Sequence, residues 1–305
     1  AAHNVKESWR RTSSLARGGY LLKAASYLEA NLEEFAQMVT RECGKAILEA
    51  RGEVGRAVAL LQYYGVEGSN PVGSVVPSVN PNILLYTNRM PLGVVSFITP
   101  WNFPLAIPIW KMAPALVYGN TIVLKPASAT PGVATLIARM WEAVDLPAGV
   151  FNLITGSGGT VGNELITNDK VAAISFTGST RIGMNIASES AKRGKRYQLE
   201  MGGKNPVVVL PDADLEQAAE ITVSGAMKYS GQKCTATSRA IVVGNVMEEF
   251  TNLVVEKTNA LKIGAGADPQ SIIVPVIDQA SKDNIASMIT RGVADGGSIL
   301  TGGGV

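Results

Sequence analysis

Histidine is almost missing from these 305 residues, the one copy being His3. A Ser-His-Asp or Cys-His arrangement needs an imidazole to move a proton, and a Cys/His zinc cluster needs one as ligand. Neither is assembled here, and no metal is expected. Cysteine is nearly as scarce. Cys43 and Cys234 lie far apart in sequence, which gives no disulfide framework for a chain this large and suggests a reducing, cytoplasmic compartment. Charge is sparse and balanced, with 27 basic against 25 acidic residues, so the net +2 offers no global attraction to nucleic acid or to a membrane surface. Long hydrophobic runs are lacking too. Each is broken by Pro, Gly, Asn or Lys before it reaches spanning length, and the opening residues have no apolar core of a signal peptide. Neither a nucleic-acid nor a membrane partner is expected.

What is present is apolar bulk. At 46% hydrophobic and 17% charged, the chain can bury a large core and should form two domains. From Leu21 the positions Leu21, Ala25, Leu28, Leu32, Phe35 and Val39 step by three and four, which predicts helix with a break near Asn31 and a stop at Gly44. A further helix is expected over 46–64. Residues 71–91 mix Pro, Asn and Gly with β-rich pieces and read as a hairpin standing off the main body. Short apolar strands at 94–98, 121–124, 150–154, 173–176 and 197–199 then alternate with helices, implying a parallel sheet covered on both faces. A second α/β unit starts near Gly203, with Pro206-Val-Val-Val-Leu210 and a helix after Asp214.

Ligands of such sheets collect where strands end, and Trp101-Asn102, Lys125-Pro-Ala-Ser128, Gly156-Ser-Gly-Gly159 and Gly178-Ser179 fall there. Cys234, in Gly231-Gln-Lys-Cys234, has a small, polar setting. It reads as a nucleophile once ionised, or as an ordinary packed cysteine. Glu200, followed by Met-Gly-Gly, is either a base that activates water or a solvated strand-end charge. Asn102, between Pro100 and Pro104, can donate from its amide to a substrate or satisfy its own turn. Gly178-Ser-Thr-Arg-Ile-Gly183 follows a strand and opens a helix, where free N–H groups can hold phosphate, although a plain strand-to-helix turn has the same pattern. Gly156-Ser-Gly-Gly-Thr-Val-Gly162 lacks G-x-G-x-x-G spacing and is weak evidence by itself. Lys125 and Ser128 could accept an anion, or be a lysine and a turn serine with no ligand.

Taken in order, Pro100-Trp-Asn-Phe-Pro104, Phe176-Thr-Gly-Ser-Thr180, Leu199-Glu-Met-Gly-Gly-Lys204 and Gly231-Gln-Lys-Cys234 resemble the aldehyde dehydrogenase superfamily over nearly the whole chain. The resemblance implies a parallel-sheet cofactor-binding domain over 1–202, with an oligomerisation hairpin at 71–91, and an incomplete α/β catalytic domain over 203–305. It implies that Cys234 attacks an aldehyde, that Asn102 and the Cys234 N–H hold the oxyanion, and that Glu200 directs water onto the resulting thioester. NADP or NAD would be held by Thr99, Pro100, Trp101, Asn102, Lys125, Ser128, Gly158, Gly162, Phe176, Gly178, Ser179 and Met201. Many NAD-preferring relatives carry a glutamate where Ser128 stands. With no negative charge there to repel a 2′-phosphate, NADP or dual use is expected.

The wording of residues 103–111 is similar to bacterial semialdehyde dehydrogenases, including those acting on 2-oxoglutaric semialdehyde. Trp110 departs from the arginine of some succinic semialdehyde enzymes. A homodimer or homotetramer is expected. The alternatives are an acylating enzyme that hands the acyl group to CoA or phosphate, and a non-catalytic oligomeric protein that keeps the fold. Leu300-Thr-Gly-Gly-Gly-Val305 reads as domain interior. Relative to the family, the first strands before the helical start and the remainder of the catalytic domain are expected to be missing, and the chain by itself is expected to be poorly active.

Overall fold

A computed structural model describes residues 1–70 and 72–304. They form two compact units, Ala1–Ala36 with Arg51–Met201, and Gln37–Ala50 with Gly202–Val305.

Helices α1 (Ala2–Arg11), α2 (Ser14–Ala30), α3 (Leu32–Cys43) and α4 (Ile47–Glu67) come first. The expected helix from Leu21 begins a turn and more earlier, because Ser13 caps it by accepting the Ala16 N–H at 3.2 Å. The break stands at Asn31, whose amide donates to the Tyr27 carbonyl at 2.7 Å. Gly44 ends α3 at φ +71°, a conformation that strains residues bearing a Cβ. Of the expected hairpin, Pro71 lies outside the described residues. The rest contains β1 (Val75–Val76) paired antiparallel with β2 (Leu85–Tyr86), all four residues exposed.

The first unit then alternates β3 (Val94–Ile98), α5 (Ala106–Val117), β4 (Thr121–Lys125), α6 (Pro131–Ala143), β5 (Phe151–Leu153), α7 (Asn163–Thr167), β6 (Ala173–Gly178), α8 (Thr180–Lys192) and β7 (Arg196–Met201). The strands pair in parallel in the order β5-β4-β3-β6-β7. Central strands β3, β4 and β6 are apolar and mostly buried, as a sheet covered on both faces requires. Val94, Ile174 and Phe176 pack with Ile166 of α7 and Ile186 of α8. The strand at 197–199 departs from the expected apolar, covered form. β7 is longer, reads Arg-Tyr-Gln-Leu-Glu-Met and is largely exposed, because it is an edge strand with a neighbour on one side.

The second unit has β8 (Asn205–Val209) parallel to β9 (Thr237–Val242), joined through α9 (Leu215–Met227) and followed by α10 (Met247–Asn259) and α11 (Gln279–Ala294). Asp214 starts α9 by accepting the Gln217 N–H at 3.0 Å. Val209, Ala219 and Phe250 form the centre of its core.

Candidate active site

The strand order fixes where a ligand can enter the first unit. From β3 the chain moves outward through β4 to β5, then returns to place β6 on the other side of β3. Connections leave β3 and β6 in opposite directions, so a crevice opens at their carboxyl ends. The register sets Ile98 beside Lys125 on one side and Phe176 on the other, while Thr177 and Gly178 face Glu200 and Met201 of β7. Thr99, Pro100, Trp101, Asn102, Gly178, Ser179, Glu200 and Met201 therefore share one end of three adjacent strands. Gly158 and Gly162 follow β5, at the far edge of the same end, in a π-helical turn whose Ser157 hydroxyl accepts the Thr160 N–H at 3.1 Å.

Ser179 precedes the first turn of α8, is exposed, and makes no side-chain capping bond, leaving its hydroxyl and the first-turn N–H groups for an anion. Phe176 is buried and forms the floor. A Cβ on Gly178 would stand 2.5 Å from its Cζ, and a Cβ on Gly183 2.5 Å from the Met201 sulfur. Glycine at both positions lets strand and helix approach, which fits a dinucleotide cradle. At the end of β4, Lys125 is 5% exposed and its ammonium donates to the Pro126 carbonyl at 3.1 Å, while Ser128 is exposed. Burial lowers the Lys125 pKa from its ordinary value.

Asn102 sits on the half-buried loop between β3 and α5. That loop is held by a residue the sequence reading overlooked. Glu53 of α4 is 4% exposed, and its Oε1 accepts the Leu105 and Ala106 N–H groups at 2.9 and 3.0 Å, supplying from another helix the cap that α5 lacks. A second overlooked group is Lys111 of α5, buried at 6% exposure. Its ammonium donates to Ser175 Oγ at 2.6 Å and to Gln198 Oε1 at 3.2 Å, and Gln198 Nε2 donates to Glu200 Oε1 at 2.7 Å. Burial pulls the Lys111 pKa down to about 8, with the Glu200 charge pulling it upward. The available signal was a lone charge inside the apolar run of residues 105–117, since lysine is seldom buried without partners.

In the second unit, Cys43 and Cys234 behave differently. Cys43 is buried and donates to the Val39 carbonyl at 3.0 Å, whereas Cys234 is exposed. The turn leading to Cys234 holds three consecutive left-handed residues, Tyr229, Ser230 and Gly231, at φ 56°, 54° and 70°. For the two that carry a Cβ this costs roughly 1–2 kcal/mol each, so surrounding structure must enforce it. Ser230 accepts the Val274 N–H at 3.1 Å and donates to the Val274 carbonyl. Gln232 Oε1 accepts the Ile277 N–H at 2.9 Å, and Lys233 pairs with Glu49. Lys45, buried, stands over the Tyr229 ring at 4.5 Å from its centroid. Beyond the turn, Asn205 donates to the carbonyls of Cys234 and Ala236 at 2.8 and 3.0 Å. The result is an exposed thiol on a backbone fixed from both sides.

Comparison with known proteins bears on this arrangement. Residues 1–305 match the model of the Aldehyde dehydrogenase family. An alpha-ketoglutaric semialdehyde dehydrogenase of Bacillus subtilis (strain 168) is 48% identical over 303 residues, which are 99% of this chain and 62% of the relative. The chain thus spans about three fifths of the length of the curated relatives it matches. Among solved structures, a betaine aldehyde dehydrogenase from Staphylococcus aureus in complex with NAD+ superimposes with a TM-score of 0.96 at 31% identity, over 99% of this chain and 62% of that one. A glyceraldehyde-3-phosphate dehydrogenase from Methanocaldococcus jannaschii complexed with NADP gives 0.96 at 33% identity, over 100% and 67%.

Proposed function

This chain belongs to the aldehyde dehydrogenase family, and from that footing we propose that it carries the NAD(P)-dependent oxidation of a semialdehyde to the carboxylic acid, with Cys234 as nucleophile. The observation that carries the reading is the Cys234 thiol, exposed on a turn whose strained backbone is enforced by Ser230, Gln232 and Asn205. A packed structural cysteine has no use for such a mount, as Cys43 shows.

In this reaction the Cys234 thiolate adds to the aldehyde carbon, and the new oxyanion rests on the Asn102 amide and the Cys234 N–H. A preorganised donor at such a point lowers the barrier by roughly 3 kcal/mol. NADP or NAD, when bound, would supply the hydride acceptor through which this adduct becomes the thioester. Ser179, the first turn of α8 and the close-approach position at Gly178 would hold its pyrophosphate, and residues 99–102 would border its nicotinamide end. Glu200 then takes a proton from water as the water oxygen bonds to the acyl carbon. The C–S bond breaks and Cys234 leaves as thiolate. A carboxylate in this role favours water over CoA or phosphate as acyl acceptor.

NADP, or dual use, is supported by the uncharged, exposed Ser128. Ser128 would meet a 2′-phosphate first, since Lys125 must release the Pro126 carbonyl to join it. For the substrate, the Bacillus subtilis relative supports a carboxylated semialdehyde of the alpha-ketoglutaric kind. Exposed apolar residues on the hairpin, among them Val75, Leu84 and Tyr86, support assembly as a homodimer or homotetramer. No helix among the described residues is long and apolar enough to cross a membrane, and the cytoplasm is the compartment proposed.

Glu200→Gln tests the two-step scheme. Acid-quenched protein from a reaction with aldehyde and cofactor should carry an acyl group on the peptide containing Cys234, read by mass spectrometry. A variant that turns over at the wild-type rate with no trapped acyl group would refute the role given to Glu200.

A further inference from the structure

Side chains two residues apart on a strand point to the same face, so β7 places Gln198 beside Glu200. Four groups then form one hydrogen-bonded chain. Lys111 Nζ donates to Ser175 Oγ at 2.6 Å and to Gln198 Oε1 at 3.2 Å, Ser175 Oγ donates to the same Gln198 oxygen, and Gln198 Nε2 donates to Glu200 Oε1 at 2.7 Å. The orientation of the Gln198 amide is fixed from both ends. An ammonium can only donate, so it must face the amide oxygen, and an ionised carboxylate can only accept, so it must face the amide nitrogen.

We propose that Gln198 is a positioning residue for Glu200, clamped by Lys111 and Ser175 so that its N–H₂ holds the carboxylate in one rotamer. The proposal rests on the reading above through the role of Glu200 as water-activating base. Glu200 is exposed on an edge strand, where a glutamate otherwise samples many rotamers, and ordering it in advance removes that cost from the hydrolytic step. The bond takes up Oε1 and leaves Oε2 to accept the proton of the attacking water. Gln198→Glu isolates the effect. It keeps an acceptor for Lys111 and Ser175, but its ionised form cannot donate to Glu200 and sets a like charge beside it.

The two steps separate in a rapid-mixing experiment on the full chain with aldehyde and cofactor. The first burst of reduced cofactor reports acylation, and the steady rate reports hydrolysis. With Gln198→Leu and Gln198→Glu the burst amplitude and the KM for cofactor should hold while the steady rate falls by about 10-fold, more with Glu than with Leu. Equal loss of both phases, or of neither, overturns the proposal.

A second measurement does not depend on turnover. The ¹⁵N-bound side-chain protons of Gln198, identified by their loss in Gln198→Leu, should shift and exchange faster with water in Glu200→Ala. If they stay in place, the clamp does not exist. A wild-type protein that carries the rest of the catalytic domain and shows neither burst nor turnover would remove the proposed function, and the NMR result would still decide the positioning claim.

Discussion

Lys111 brings a positive charge into a helix whose residues are apolar and, except Trp110 beside it, mostly buried, and the consequence is measurable as stability against pH. Its pKa in the folded protein is pulled down to about 8, below the ordinary lysine range, chiefly by burial. Between those two values the unfolded chain binds the extra proton and the folded chain does not, so stability rises with pH through that window. The slope is at most about 1.4 kcal/mol per pH unit. Below the folded pKa both states are charged and this contribution is flat. Urea unfolding from about pH 7.5 to about pH 9.5 should therefore show wild type gaining stability relative to Lys111→Met. A constant difference would mean that the ammonium is not penalised where it sits. The same burial gives the Lys111 head few directions to turn except toward Ser175 and Gln198, which is how a buried charge on α5 comes to organise a carboxylate on β7.

Among the elements, the junction of β6 with α8 depends on close fit. The Phe176 ring, 4% exposed, lies where a Cβ on Gly178 would come within 2.5 Å, and an aromatic ring in a packed core has no room to withdraw. Gly178→Ala should cost about 1–3 kcal/mol through overpacking. The shift of the α8 start should also raise the KM for cofactor more than that for aldehyde. An alanine variant with unchanged unfolding midpoint and cofactor KM would show that the close approach is not needed. Two further contacts act through helix α4, where Glu53 receives the first N–H groups of α5 and Glu49 pairs with Lys233. Each fixes a loop that bears a proposed reacting group, Asn102 in the one case and Cys234 in the other.

Across the whole molecule, the sequence made the alternation of strands and helices legible because parallel strands buried on both faces read as apolar runs between turn residues. The strand at 94–98 and the helix after Asp214 appear as expected, the first through a mostly apolar run broken only by Ser96 and the second through its cap. β7 was less legible. The strand was expected at 197–199, but an edge strand needs no apolar alternation, so its extension over Arg196 and to Met201, its exposure and the role of Gln198 as partner of Glu200 were missed. Glu53 and Lys111 were hidden for a related reason. Their roles depend on carboxylate and ammonium groups meeting segments more than fifty residues away, which local spacing does not encode. Motif residues fared differently: Thr99, Asn102, Gly178 and Ser179 lie at or just beyond the ends of β3 and β6, which their apolar runs locate, while the roles expected of them came from the family resemblance.

The most direct test of the central claim is absorbance of reduced cofactor at ~340 nm on the wild-type chain and on Cys234→Ala, with NADP or NAD and alpha-ketoglutaric semialdehyde. Reduced cofactor that appears with wild type and is abolished in Cys234→Ala is the predicted result. Turnover that survives in Cys234→Ala would contradict the assignment of the nucleophile and, with it, the reaction proposed for this chain.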